Sequence, residues 1–209
     1  MKDFYEDVWE HLPEDPEPWA FSRRRALLLG AVRPGDRVLD LGCGAGRFTA
    51  ALREAGADPV GVEIAEGALE RARRNVPGAD LRLAPSEGPL PLEDASFDVV
   101  WCSEVLEHVP DTAGALSEIR RVLRTGGRLL VTTPSHGRLR RTLIALARFD
   151  EHFDPLGQHL RFYSRASLER VLGEFAFEDV SVDAVAGPPG LRAMLVARAR
   201  KASLVGPSP

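Results

Sequence analysis

The sequence predicts an α/β fold in which helices flank a doubly wound, mostly parallel sheet. Apolar strand segments alternate with helical segments from residue 36 onward, which is the pattern of an open parallel sheet. A turn with three alternating glycines follows the first strand, and an acidic residue stands at the tip of each of the first two strands. Because ligands of such sheets bind at the carboxyl ends of the strands, these features also predict where the site lies.

Each element has recognisable start and stop signals. A helix over 19–29 ends at Gly30, and a Pro-Gly-Asp turn precedes the first strand. Further glycine or Pro-Gly stops follow the helices over 48–55 and 66–75, and Asp111 caps a helix with a clear apolar stripe that runs to Gly126-Gly127. The predicted strands cover 37–41, 59–62, 80–83, 97–102, 128–132, 178–182 and 191–198, with a last helix over 166–172.

Length and composition indicate one globular domain. The chain has 209 residues, 44% of them hydrophobic and 28% charged. We expect a single domain over 1–199, with an N-terminal cap over 1–33, a lid or substrate insertion over 135–163 and a disordered tail over 200–209. The net charge of −4 disfavours a general nucleic-acid binder. Without a signal peptide or a membrane-spanning run, a cytoplasmic location is expected; the sequence does not predict the oligomeric state.

The glycine turn predicts the chemistry of the ligand. Gly42, Gly44 and Gly46 are separated by single residues, and Arg47 stands where a dinucleotide fingerprint would have its third glycine. Asp40 just before the turn suits a cation rather than a pyrophosphate. Glu63, 23 positions later, suits the two hydroxyls of a ribose. An adenosine compound with a cationic tail and no phosphate, S-adenosylmethionine (SAM), satisfies both acids.

Three motifs carry a resemblance to a known family. The segments Val-Leu-Asp-Leu-Gly-Cys-Gly-Ala-Gly-Arg-Phe (38–48), Val-Gly-Val-Glu (60–63) and Ser-Phe-Asp-Val-Val-Trp-Cys-Ser-Glu-Val-Leu-Glu-His-Val (96–109) resemble class I SAM-dependent methyltransferases of the type 11 kind. The resemblance implies a Rossmann-like seven-stranded sheet of order 3-2-1-4-5-7-6 with the last strand antiparallel. SAM would be the cofactor and S-adenosylhomocysteine its product.

The resemblance also assigns roles to residues. Asp40 would lie near the methionine amino group, the three glycines beneath it, and Glu63 at the ribose. The acid that usually binds the adenine amino group in this family is missing. We predict that Ser86 or Glu87 makes this contact instead. The remaining predicted cofactor residues are Cys43, Ile64, Cys102 and Ser103.

His108 is the predicted catalytic base, with Glu107 and His159 beside it. Methyl transfer needs a base only if the acceptor must lose a proton, and the ordinary pKa of histidine is near working pH. The alternative is that Glu107 and His108 brace the loop before Pro110. A metal is not expected, although Glu104, Glu107, His108 and His159 resemble the metal site of small-RNA 2′-O-methyltransferases.

We expect the insertion over 135–163 to determine the substrate specificity. Arginines alternate there with leucines, so the segment could receive an anionic substrate, a lipid-like tail or RNA, or form a lid helix with a solvated Arg face. We expect methyl transfer to oxygen of a small molecule, loosely similar to ubiquinone-pathway O-methyltransferases. The rivals are a metal-assisted RNA 2′-O-methyltransferase, a non-catalytic SAM-binding regulator and, more distantly, an NAD-dependent reductase.

Overall fold

The computed structural model describes residues 2–86, 88–154, 157–188 and 191–202. Seven strands and eight helices alternate through these residues. The strands are β1 Arg37–Leu41, β2 Asp58–Glu63, β3 Asp80–Leu83, β4 Phe97–Ser103, β5 Leu123–Pro134, β6 Phe177–Val185 and β7 Met194–Lys201. The helices are α1 Lys2–His11, α2 Phe21–Leu29, α3 Arg47–Glu54, α4 Glu66–Asn75, α5 Thr112–Val122, α6 Arg138–Ala147, α7 Phe149–His152 and α8 Arg165–Glu174.

The strands form one sheet of order β3-β2-β1-β4-β5-β7-β6, which confirms the predicted order. Strands β1, β2 and β3 pair in parallel, with Leu39 opposite Val60 and Val60 opposite Asp80. Strand β7 is antiparallel to both β5 and β6, as the resemblance implied. The parallel pairing brings the carboxyl ends of β1 and β2 to the same edge of the sheet.

The chain divides into two compact units. One consists of Met1–Trp101 with Arg121–Gly127, and the other of Cys102–Arg120 with Arg128–Pro209. Strands β4 and β5 contribute residues to both units. The single domain over 1–199 stays a prediction.

Buried apolar side chains on the strands form the core of each unit. In the first unit, Val38, Leu39 and Val62 on β1 and β2 are fully buried, and Leu69 on α4 is too. In the second, the largest fully buried side chains include Leu116, Ile119, Leu129 and Leu168. The apolar stripe predicted for α5 is thus confirmed as a core face.

Four sequence expectations need correction. The N-terminal segment contains α1, which the proline-rich start did not predict. Helix α5 ends at Val122, and β5 begins at the next residue and passes through Gly126-Gly127. The main-chain amides of Ala95 and Ser96 bind the carbonyls of Arg121 and Val122, which fixes that change of conformation.

The predicted tail is the third correction, because Arg200 and Lys201 belong to β7, where Arg200 pairs with Arg128 and Glu178. Residues 203–209 lie outside the described part of the chain. The fourth concerns the insertion, for which one lid helix was among the alternatives, whereas the structure has two helices there, α6 and α7.

Candidate functional site

The glycine turn after β1 adopts a backbone that only glycine accepts without strain. Gly42, Gly44 and Gly46 have φ values of 73°, 53° and 86°. The amides of Gly42 and Cys43 donate to the Val62 carbonyl at 2.8 and 3.1 Å, which ties the turn to the end of β2. The turn therefore presents bare main chain at the strand tips.

Asp40 lies at this turn as a buried carboxylate. Its exposed fraction is 1%, and its Oδ2 accepts a hydrogen bond from Thr49 Oγ1 at 2.7 Å. Burial raises the pKa of Asp40 to about 6, opposed by the Thr49 hydroxyl and raised further by the charge of Glu63. A carboxylate with this environment gains from an incoming cation.

Glu63 at the tip of β2 is fixed by main-chain amides. Its Oε2 accepts from the Gly44 amide at 3.0 Å, and its Oε1 accepts from Ile64 and Ala65 at 2.8 and 3.1 Å. Burial raises the pKa of Glu63, and the three amides oppose that rise. These amides orient the carboxylate, whose remaining lone pairs can accept hydroxyl donors such as those of a ribose.

Cys43 has a packing role in the structure. Its Sγ would stand 3.0 Å from a Cβ added at Gly61 on β2, so the two residues pack closely. Burial raises the pKa of the Cys43 thiol well above its usual range, which makes it a poor nucleophile. Ser86 is exposed in a bend, and Glu87 lies outside the described residues, so the adenine-reading role stays a prediction.

Three further residues lie at this end of the first unit, and the sequence had not singled out Thr49 or Arg24. Trp9 of α1 lies against Gly44, where an added Cβ would stand 2.9 Å from the indole ring. Thr49 binds Asp40 as described. Arg24 is 3% exposed, donates from Nε to the Trp19 carbonyl at 2.8 Å and lowers the pKa of Asp40 by its charge. Only Thr49, three residues past the last glycine, had a sequence position that could have suggested its role.

Helix α1 is held beside the turn by polar contacts. Glu6 accepts hydrogen bonds from the amides of Glu66 and Gly67, at 2.6 and 3.0 Å, and so caps α4. Arg71 on α4 donates to the carbonyls of Trp9 and Pro13 at 2.7 and 2.6 Å. The predicted N-terminal cap is thus an ordered cover over the start of α4.

The second unit brings together the three predicted catalytic residues. Glu107 is fully buried, and its Oε2 accepts from Thr133 Oγ1 at 3.1 Å. Its Oε1 lies 4.0 Å from His108 Nε2, and the rings of His108 and His159 are 4.9 Å apart. The ligand atoms of all three residues lie within 4.8 Å of one another.

The hydrogen bonds of His108 define its tautomer. His108 Nδ1 lies 2.9 Å from the Gln158 carbonyl, which can only accept, so the neutral ring carries its proton on Nδ1. Nε2 is then the acceptor nitrogen of the neutral ring, 4.0 Å from Glu107 Oε1. Burial lowers the pKa of His108, so the neutral ring predominates at pH 7.

Glu104 does not belong to this group, which corrects the expectation of one helical face. Residues 105–108 form a turn, closed by the His108 amide on the Val105 carbonyl at 2.9 Å. Glu104 has a φ of 55° and its Oε1 accepts from Thr132 Oγ1 at 2.8 Å. Ser103 Oγ lies 2.7 Å from the same hydroxyl, and Cys102 is fully buried with a raised thiol pKa.

The irregular segment that follows α7 braces the same loop. The amides of Leu160 and Arg161 both donate to the Glu107 carbonyl, at 2.8 and 3.0 Å. Arg161 Nη2 donates to the Pro110 carbonyl at 2.6 Å. The bracing role considered for this loop is therefore present, and main-chain hydrogen bonds hold the Glu107 carbonyl in place.

The fold and the strand-tip acids define the class first: an α/β protein with two buried carboxylates at the carboxyl edge of a parallel sheet, where ligands of such sheets bind. Residues 39–131 match the family model of the methyltransferase domain. Together with the motifs of the sequence and the relatives given next, this match makes residues 39–131 similar to the SAM-dependent methyltransferases.

Named relatives and one solved structure agree with this family. A ubiquinone biosynthesis O-methyltransferase of Idiomarina loihiensis is 32% identical over 71% of this chain and 64% of its own. A malonyl-[acyl-carrier protein] O-methyltransferase of Erwinia pyrifoliae is 35% identical over 71% of this chain and 56% of its own. The chain thus spans between about half and two thirds of these relatives.

A solved SAM-dependent methyltransferase of Thermotoga maritima, described as a possible histamine N-methyltransferase, has a TM-score of 0.70 and 25% identity over 96% of this chain and all of its own. The named acceptors of the three proteins differ. Within the described part of the chain, no helix has both the length and the apolar composition to cross a bilayer.

Proposed function

We propose that the protein transfers the methyl group of SAM to an oxygen atom of a small molecule. The observation that carries the proposal is the pair of buried carboxylates, Asp40 and Glu63, beside a turn of left-handed glycines. The acceptor oxygen attacks the methyl carbon, the carbon–sulfur bond breaks, and S-adenosylhomocysteine leaves with the electron pair on sulfur. The protein mainly aligns the reactants and excludes water.

The roles of the cofactor residues follow from charge. Asp40 and its Thr49 partner would face the positive end of the methionine moiety, and Glu63 would accept from the ribose hydroxyls. Gly42, Gly44 and Gly46 let the ligand approach the main chain. Such an arrangement holds a neutral or cationic ligand, whereas two buried acids would repel a diphosphate.

His108 would take the proton that the acceptor hydroxyl loses. Its Nε2 lone pair is oriented by the Nδ1 contact to the Gln158 carbonyl, 2.9 Å away. Glu107 stabilises the imidazolium that forms, and His159 lies against the ring. Oxygen as the acceptor atom is supported by the two O-methyltransferases among the relatives. The net charge of −4 supports a small molecule over nucleic acid.

Replacement of His108 tests the chemical step. His108→Gln should lower kcat by roughly 10²- to 10⁴-fold, the usual contribution of a general base, and leave the dissociation constant for SAM unchanged. His11→Gln is the matched control, since His11 is exposed on α1. Turnover is measured by S-adenosylhomocysteine release with a panel of phenols, carboxylates and hydroxy acids.

Calorimetry tests cofactor binding separately. SAM should bind and NAD should not; binding of NAD in preference to SAM would contradict the proposal. Tight SAM binding with no turnover across the whole panel would favour the non-catalytic regulator.

A second candidate is metal-assisted 2′-O-methylation of RNA, favoured by the grouping of Glu107, His108 and His159 within 4.8 Å. One carboxylate and two imidazoles suit Zn²⁺ or Mn²⁺. In that case EDTA would abolish turnover and RNA binding would fall steeply with salt. If the protein methylates a small molecule at the same rate with and without EDTA, the metal-assisted candidate is excluded and the general-base mechanism of His108 is retained.

A further inference from the structure

Helix α6 presents almost its whole surface to solvent. None of its ten residues, all of them described, is buried, and only Arg140 and Ile144 are even half-buried. Leu139, Leu143 and Leu146 are 49%, 48% and 80% exposed. Three large apolar side chains that are this exposed on one short helix indicate an interaction site, at which another surface covers them.

The three leucines form one continuous stripe. Their spacings of four and three residues place them on the same line of an α-helix. Phe149, the first residue of α7, is 55% exposed and follows the stripe in the chain. An isolated helix of this length is marginal in water, so a covering surface would also stabilise α6.

The charges beside the stripe have one sign. Helix α6 contains Arg138, Arg140 and Arg141 and no acidic residue, although the chain as a whole has a net charge of −4. Arg148 follows the helix and pairs with Glu151 at 3.0 Å. At 100° per residue, Arg138 and Arg140 fall on opposite flanks of the stripe, and Arg141 lies behind it.

These charges identify the covering surface. A second copy of the chain would set arginines against arginines across the stripe, which is repulsive. A protein groove would need an acidic rim on both sides of a convex helix. A bilayer with anionic lipids offers an apolar layer between phosphates on every side, and arginines reach such phosphates from the flanks of an inserted helix.

We propose that α6 docks on the surface of an anionic lipid bilayer, with Leu139, Leu143 and Leu146 at the boundary of the acyl chains and Arg138 and Arg140 on lipid phosphates. The helix lies in the plane of the interface and does not cross it. This docking concerns a different surface from the strand-tip acids, so it stands or falls independently of the methyl acceptor.

Vesicle flotation tests the proposal with the full chain. The protein should float with vesicles of phosphatidylcholine and phosphatidylglycerol and bind vesicles of phosphatidylcholine alone roughly tenfold more weakly or worse. High salt should weaken the binding to anionic vesicles, since exposed charges are screened.

Two double variants locate the surface. Leu143→Ser/Leu146→Ser and Arg138→Gln/Arg140→Gln should each lose most of the vesicle binding. Leu191→Ser, with a leucine 39% exposed in the same unit, and Arg165→Gln/Arg170→Gln on α8 are the matched controls and should bind like the parent protein. Calorimetry with SAM verifies that each variant has kept its fold.

A substitution that keeps α6 apolar gives a second readout. Leu146→Trp should show a blue-shifted emission when phosphatidylglycerol vesicles are added and none with phosphatidylcholine alone. Absence of vesicle binding, binding by both α6 double variants at parental strength, or binding of an acidic carrier protein through α6 without binding to vesicles would each overturn the proposal.

Discussion

Asp40 connects the ligand site to the stability of the protein. Its folded pKa of about 6 is above the ordinary value of 3.8, so the folded state binds more protons than the unfolded state between these values. Stability contributed by this group is therefore present at low pH and is lost as pH rises through about 4 to 6. By pH 7 the ionised carboxylate costs about 3 kcal/mol without a cation nearby.

Asp40→Asn should remove this cost and weaken cofactor binding. We expect a higher unfolding free energy at pH 7 and a SAM affinity lower by roughly 10- to 100-fold, the loss of one charged hydrogen-bonding partner. Urea unfolding and calorimetry measure the two effects. Asp58→Asn, an exposed acid on neighbouring β2, is the control. A variant that binds SAM as the parent does would exclude Asp40 from the site.

The same pKa predicts how SAM binding depends on pH. SAM should bind best when Asp40 is ionised, so its affinity should fall up to about tenfold per unit as pH drops below about 6. Titrations between pH 5 and 7 in buffers of different ionisation enthalpy would detect the proton released on binding. Proton release that persists in Asp40→Asn would assign it to another group.

Helix α1 contributes to stability because its Glu6 side chain caps the start of α4. Glu6→Ala removes the acceptor for the amides of Glu66 and Gly67 and should destabilise the protein by about 0.5–2 kcal/mol, as loss of a helix cap does. Glu10→Ala on the exposed side of the same helix is the matched control. Equal urea midpoints for the two variants would show that the cap contributes nothing measurable.

The contact between α1 and the glycine turn can be isolated with a double-mutant cycle. Gly44→Ala combines a left-handed φ of 53° with a Cβ 2.9 Å from Trp9, whereas Gly35→Ala has a φ of 84° and no atom within 4 Å. Gly35→Ala should cost about 1–2 kcal/mol from the backbone alone, and Gly44→Ala more.

Replacement of Trp9 closes this cycle. Trp9→Ala should recover the excess cost of Gly44→Ala but not the backbone part, because the clash disappears and the strained φ remains. The comparison is made by urea unfolding of the single and double variants. If Gly44→Ala and Gly35→Ala cost the same, the indole does not restrict the turn.

Elements were predictable where local signals and tertiary packing agree. The strands from β1 to β4 combine apolar runs with turn residues, so their positions followed from sequence. Helix α1 did not, because its place depends on the contact of Glu6 with the Glu66 amide and of Arg71 with the Trp9 carbonyl. Each of these contacts joins residues about 60 positions apart in the chain. Gly126-Gly127 predicted the end of α5, but these glycines lie inside β5. The hydrogen bonds from the amides of 95–96 to the carbonyls of Arg121 and Val122 end the helix earlier.

The site shows the same division. Asp40, Glu63 and the glycines could be named because they belong to contiguous motifs. Arg24 could not, since a single polar residue in a helix carries no sequence mark of what it contacts. The grouping of His159 with Glu107 and His108 was a prediction that rested on chemistry, and its geometry comes from main-chain contacts of the insertion.

On the scale of the whole molecule, bound SAM should raise the melting temperature. At a concentration 100 times its dissociation constant, a ligand that binds only the folded state adds about 2.7 kcal/mol. For a chain of this size that corresponds to a rise of roughly 5–10 °C. Differential scanning calorimetry with SAM, S-adenosylhomocysteine and NAD measures it. A rise with NAD and none with SAM would contradict the proposed cofactor.

The position of Trp9 gives the protein a natural optical probe. Its half-buried indole contacts Gly44. Trp101 is enclosed in the core, and Trp19 is 53% exposed; among the described contacts, Trp19 has none with the turn. Arrival of a ligand on the bare main chain must displace or restack that ring, so the native ultraviolet emission can time the event in a stopped-flow instrument without any label.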